Sequence, residues 1–183
     1  WGQALRDVAS LRYLGGGGDG CNDRDGGFSQ SRRWLHHALF YGFALCFAST
    51  TTAAFYEHVL GRLSPFPPTS LPVLLGAIGG LGMTVGAAGM LWLKIVADPE
   101  PGAPRLLGTE FAFVLLIWLT AVTGLVLLGL RATSAMGTLL AIHLGCVLAL
   151  FVVMPYSKFV HGIYRGAALL RNAAEADASV AER

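Results

Sequence analysis

All five histidines of this chain fall on two of its apolar stretches: His36, His37 and His58 on the first, His143 and His161 on the last. Imidazole is both a common neutral metal ligand and a proton carrier near neutral pH. His143 and His161 stand eighteen residues apart, roughly five whole turns, so on an unbroken helix both project from one face. His36 and His58 are twenty-two apart, roughly 40° from eclipsed. Two stripes of imidazole, one near each end of the chain, are therefore available to face each other.

The elements that must position them are set by composition. Of 183 residues, 54% are hydrophobic and 13% charged, against about 25% charged in soluble domains. Four windows, 34–60, 71–96, 106–130 and 136–160, exceed the about 20 apolar residues that cross a hydrocarbon core. None reads as a cleaved signal, being too long and not at the chain start. The expected fold is all-α: a four-transmembrane-helix bundle with a glycine-rich N-terminal segment and an amphipathic C-terminal tail. The corresponding domains are 1–33, 34–160 and 161–183.

Net charge is only +2, yet eleven of the thirteen Lys and Arg residues fall before span one, at or between the facing ends of spans two and three, or at or beyond the end of span four. By the positive-inside rule both termini are expected in the cytoplasm, in a multi-pass protein of the inner (cytoplasmic) membrane. No basic stripe with interleaved aromatics points to nucleic acid. Spans one and four then run antiparallel, and His36 or His37 comes level with His161.

Local signals fix the ends of the spans. Ser31 can cap span one, with Arg32, Arg33 and Trp34 at the interface. The prolines of LSPFPPTS (63–70) forbid helix, and Ser70 with Pro72 restarts it. Span two carries Gly76, Gly79, Gly80, Gly82, Gly86 and Gly89. Its small-xxx-small pairs, Gly76 with Gly80 and Gly82 with Gly86, suit close approach of another helix or of a flat macrocycle. Thr133 and Ser134 are candidate caps for span four, and Pro155 is expected to kink it.

Side chains on facing helices are where bundles hold cofactors. Two imidazoles are a standard axial pair for haem iron and leave no position for oxygen, which suits electron transfer. One or two haem b groups, stacked across the bilayer, are the expectation, with His36, His37, His143 and His161 as iron ligands and His58 as a further candidate. The competing readings are a helix–helix hydrogen bond for His143 and plain interfacial residues for the other four. Lys158, Tyr164 and Arg165 suit haem propionates or a quinone head group, although the positive-inside distribution alone accounts for the two cations. Glu110 suits either a proton relay or a charge favoured by the helix dipole.

The chain opens at Trp1, and residues 14–27 are too glycine-rich to order by burial alone. The reading is a fragment or processed product whose first segment is a linker. Cys21, Cys46 and Cys146 match no zinc spacing, and Cys21 alone cannot hold a cluster that takes four thiolates.

LRYLGGGGDGCND, FSQSRRWLHHALFYGFALCFAST, SLPVLLGAIGGLGM, the LLAIHLG around His143 and MPYSKFVHGIYR together resemble the tricarballylate or citrate utilisation protein B family over nearly the whole chain. The resemblance implies a b-haem membrane domain that follows an iron–sulfur region with [4Fe–4S] clusters. It would take electrons from a flavin-dependent dehydrogenase, acting on tricarballylate, and pass them to quinone. It also implies haem-ligand roles for His36, His37, His143 and His161, and makes the chain an electron-transfer part of an oxidoreductase. The alternatives are the membrane domain of a precorrin-3B synthase-type flavoprotein fusion in cobalamin synthesis, a transporter segment, or a non-redox anchor. An internal repeat or broken mid-membrane helix, which would favour a transporter, is not visible.

Overall fold

The computed structural model describes residues 21–22, 28–96, 104–157, 159–164, 166–168 and 171–172. Within these the chain is helical, apart from the connections 59–70 and 131–135 and a short β1 (Cys21–Asn22) paired antiparallel to β2 (Phe28–Ser29) at the edge of the glycine-rich segment. The helices are α1 (Ser31–His58), α2 (Leu71–Val96), α3 (Pro104–Leu130) and α4 (Met136–Val153). All four are long and apolar enough to cross a membrane, and large apolar side chains such as Trp34, Ile78, Leu81, Trp92, Leu144 and Leu148 cover their outer faces. Such an exterior is stable only where the surrounding medium is itself apolar. This is a membrane protein.

Helix starts differ in detail from the expectation. Gln30, not Ser31, occupies the cap position of α1, and Ala135, not Thr133 or Ser134, that of α4; neither makes a side-chain cap bond. The Thr133 hydroxyl instead donates to the Leu130 carbonyl at 2.7 Å, closing the end of α3. Ser70 does precede α2, and its hydroxyl donates to Pro67 O at 2.7 Å. Pro104 opens α3, where its missing N–H costs nothing.

The kink expected at Pro155, within a fourth span reaching Val160, is present as a full break. α4 ends at Val153, and Met154–Tyr156 form a 3-10 turn containing Pro155. Proline supplies no N–H to the helical ladder, so the break falls there. Ser157 is extended (ψ 174°), its hydroxyl donates to Met154 O at 2.8 Å, and it accepts the Phe159 N–H at 3.1 Å. Residues 160–164 resume as helix. His143 and His161 therefore stand on different helices rather than on one five-turn stripe.

The helices pack in chain order, α1 on α2, α2 on α3 and α3 on α4, whereas α4 makes no extended backbone contact with α1 among the described residues. The tightest seam joins α1 and α2. A Cβ on the buried Gly42 would lie 2.5 Å from Met83 N and 2.7 Å from Gly79 O, and one on Gly86 would lie 2.6 Å from Leu39 N. Glycine is required here because backbone meets backbone. The Gly76 and Gly80 pair divides: Gly76 faces Ser49 of α1, while Gly80 faces Leu125 of α3. Span-two glycines thus meet helices, and the packing alternative of the sequence reading holds for them. Ser49 adds an interhelical bond, donating to Pro72 O at 2.6 Å. The buried core lies further over, where Met83 and Ala87 of α2 meet Phe113, Ile117 and Ala121 of α3 and Leu150 of α4.

Candidate functional site

At the Ser31 end of the bundle, the segment that follows the Pro155 break swings back onto α1. Phe159 stacks near Phe43 (ring centres 5.5 Å apart), and His161 meets His36 with ring centres 6.3 Å apart and an interplanar angle of 76°. Metal–imidazole bonds run about 2.0–2.1 Å, and a ring centre lies about 1 Å beyond its nitrogen, so two imidazoles on one metal stand roughly 6 Å apart. The pair is thus spaced as an axial pair would be.

Adjacent histidines on a helix point about 100° apart, so only one of His36 and His37 can face His161. His37 turns the other way. Its Nδ1 lies 2.7 Å from Arg33 O, the geometry of an N–H donating to the preceding turn, and its ring sits between Trp34 (6.0 Å) and Tyr41 (6.1 Å). His58 ends α1, exposed, and does not border the cavity described next. Tyr164 is 73% exposed, and Lys158, Arg165 and the side chain of Glu110 lie outside the described residues.

His143 occupies the opposite half of the bundle. Its ring borders a cavity of about 560 Å³ between the four helices, within the usual range for a ligand site. Phe43, Phe47, Met83, Leu128, Val147 and Leu150 supply much of its apolar wall, and Ser64, Pro65 and Phe66 of the 63–70 loop line it beside Arg131. Arg131 Nη1 donates to Phe66 O at 2.8 Å, tying the end of α3 to that loop. The hydroxyls of Ser49, Thr50 and Thr120 border the cavity, but each donates to a backbone carbonyl. Among the lining residues His143 is the one imidazole.

Two α3 residues hold that imidazole, and the sequence reading gave neither a role. Thr123 Oγ1 lies 3.1 Å from His143 Nδ1. A Cβ on Gly124 would lie 3.0 Å from His143 Cε1, so the ring packs flat against this glycine. The helix–helix hydrogen bond weighed for His143 is present, and it occupies one of the two ring nitrogens. Thr123 stands out as a polar residue in an apolar span; that it meets His143 depends on how α3 and α4 pair.

Among the described residues no group of three or more His, Cys, Asp or Glu side chains forms a metal cluster. A metal here would be carried by a prosthetic group with its own equatorial donors, which needs from the protein only one or two axial side chains. The His36–His161 spacing, and the single imidazole in a mainly apolar cavity, both fit such a group.

The comparisons with known proteins agree with this architecture in extent. The family profile described as citrate utilization protein B matches residues 1–182. Citrate utilization protein B of Escherichia coli is 49% identical over 174 residues, which are 94% of this chain and 46% of that protein. The chain thus spans about half the length of the curated relative it matches. No solved structure matches. A match that runs through every helix, the glycine seam and both imidazole sites places the chain in a family: it belongs to the citrate utilization protein B family.

Proposed function

We propose that this chain is the b-type cytochrome part of a membrane electron-transfer protein serving the utilisation of citrate or tricarballylate. The observation that carries the reading is the His36–His161 pair, two imidazoles from distant parts of the sequence brought to 6.3 Å at one end of a transmembrane bundle. His36 and His161 would together hold one haem b, and His143 would hold a second. Bound haem supplies reversible one-electron transfer at its iron, and a bis-imidazole site gives no open position to oxygen. The chain's own part is to fix the ligands and exclude water. α1 is clamped to α2 along the glycine seam, the Pro155 break turns His161 toward α1, and the apolar outer faces keep the bundle in lipid.

On this reading both termini are cytoplasmic in the inner membrane. The electron donor is a flavin-dependent dehydrogenase acting through iron–sulfur clusters in the remainder of the full-length protein, and the acceptor is membrane quinone. The name of the Escherichia coli relative supports the metabolic setting, and the eleven-to-two distribution of basic residues supports the orientation.

The test is optical. Protein purified in detergent, oxidised and then reduced with dithionite, is expected to show b-type haem bands, with haem per chain measured as the pyridine haemochrome. His36→Ala and His161→Ala are each expected to lose one haem, while His37→Ala and His58→Ala retain the full content. Absence of haem from the wild-type protein, or retention in a His36→Ala/His161→Ala double variant, would refute the assignment.

A further inference from the structure

The ring nitrogens of His143 are inequivalent, and the reason lies on α3. The Thr123 hydroxyl carries a single proton, and three acceptors compete for it: Leu119 O at 2.7 Å, Thr120 O at 3.1 Å and His143 Nδ1 at 3.1 Å. The shortest contact, to the carbonyl one helical turn back, has the usual O–H···O length and is the back-bond that helical threonines favour. With its proton so committed, the hydroxyl oxygen can only accept from the ring. An Nδ1 lone pair facing this oxygen would meet another lone pair with no proton between them.

We infer that Thr123 is the positioning device of the cavity: it holds neutral His143 as the Nδ1–H tautomer and leaves Nε2 as the nitrogen that offers a lone pair to a Lewis-acidic metal centre. Gly124 completes the device, because a Cβ there would lie 3.0 Å from Cε1 and press the ring away from its acceptor. A ligating imidazole whose other N–H is so tied has its orientation fixed and its basicity raised, and loss of such a partner commonly weakens metal binding about 10–100-fold. That the metal centre is haem iron rests on the proposed function; the tautomer does not.

The test separates the two. The whole chain, labelled with 15N-histidine and purified without haem, is reconstituted in lipid bilayers at pH 9, where a histidine ring is neutral, and the resonance lost in His143→Gln identifies this residue. The wild type is expected to show protonated Nδ1 and unprotonated Nε2. Thr123→Val is expected to move the Nδ1–H proton upfield as its acceptor goes, and Thr123→Ser to restore it. Protonated Nε2 in the wild type, or an unmoved Nδ1–H in Thr123→Val, would overturn the inference. In a second arm haemin is titrated into each variant on a His36→Ala/His161→Ala background. About ten-fold weaker binding by Thr123→Val, with rescue by Ser, supports the link to haem. A wild-type tautomer as expected with no haemin binding at all leaves the positioning device standing and removes the haem reading at His143.

Discussion

Replacing Gly42 with alanine should force α1 and α2 apart, and the structure sets the size of the effect. The new Cβ would lie 2.5 Å from Met83 N, 2.7 Å from Gly79 O and 3.0 Å from Gly82 C, all backbone atoms that no rotamer change can move. Ordinary carbon contacts run about 3.5–4.0 Å, so the crossing must open by roughly 1 Å. Overpacking of this kind costs about 1–3 kcal/mol, and no hydrophobic force between lipid-embedded helices offsets it, since packing and interhelical hydrogen bonds are what hold them together. Opening the seam also strains the Ser49–Pro72 bond, seven residues along α1 or about 10 Å away, and displaces His36, which lies about 9 Å along the helix in the other direction. Alanine, however, improves the intrinsic helix propensity of α1 by about 1 kcal/mol. The control is Gly145→Ala on α4, which has the same intrinsic gain and no atom within 4 Å. The difference between the two variants isolates the clash, about 1–3 kcal/mol or a 5- to 150-fold change in the unfolding constant. It would be read by circular dichroism during SDS titration in mixed micelles, alongside haem content. Equal stability of Gly42→Ala and Gly145→Ala would refute the backbone-contact account of the seam.

Gly124→Ala is expected to lower haem occupancy at His143 while leaving the His36–His161 site loaded, because its Cβ would meet His143 Cε1 at 3.0 Å; separate pyridine haemochrome counts in His36→Ala and wild-type backgrounds check this. Arg131→Ala removes the 2.8 Å bond to Phe66 O and should destabilise the bundle by about 1 kcal/mol in the same SDS titration. A cysteine at Ser64, in a variant lacking the native thiols, should react with an impermeant maleimide from outside spheroplasts and not from the cytoplasmic face of inverted vesicles; the reverse labelling would invert the proposed topology.

Span number and approximate span ends were legible in the residues alone, because hydropathy over about 20 residues is a local property and the prolines at 65, 67, 68 and 104 punctuate it. The set of histidines and the antiparallel levelling of His36 or His37 with His161 followed from the same one-dimensional pattern. Which of the two neighbouring imidazoles turns toward His161 did not, since it depends on the rotation of α1 about its axis, and that is fixed by where Gly42 meets Gly79 and Met83. The eclipsing of His143 with His161 assumed one unbroken helix. Pro155 was visible as a kink, but that the chain restarts at Ser157 and returns to Phe43 and His36 is a matter of tertiary packing. The glycines of α2 were legible as a close-approach motif, while their division between α1 and α3 needed both partners in place. Thr123 and Gly124 carried no periodic signal at all: hydrogen bonds and van der Waals contacts act over a few ångströms in space, and only the pairing of α3 with α4 brings His143, twenty residues along the chain, within 3.1 Å of a hydroxyl.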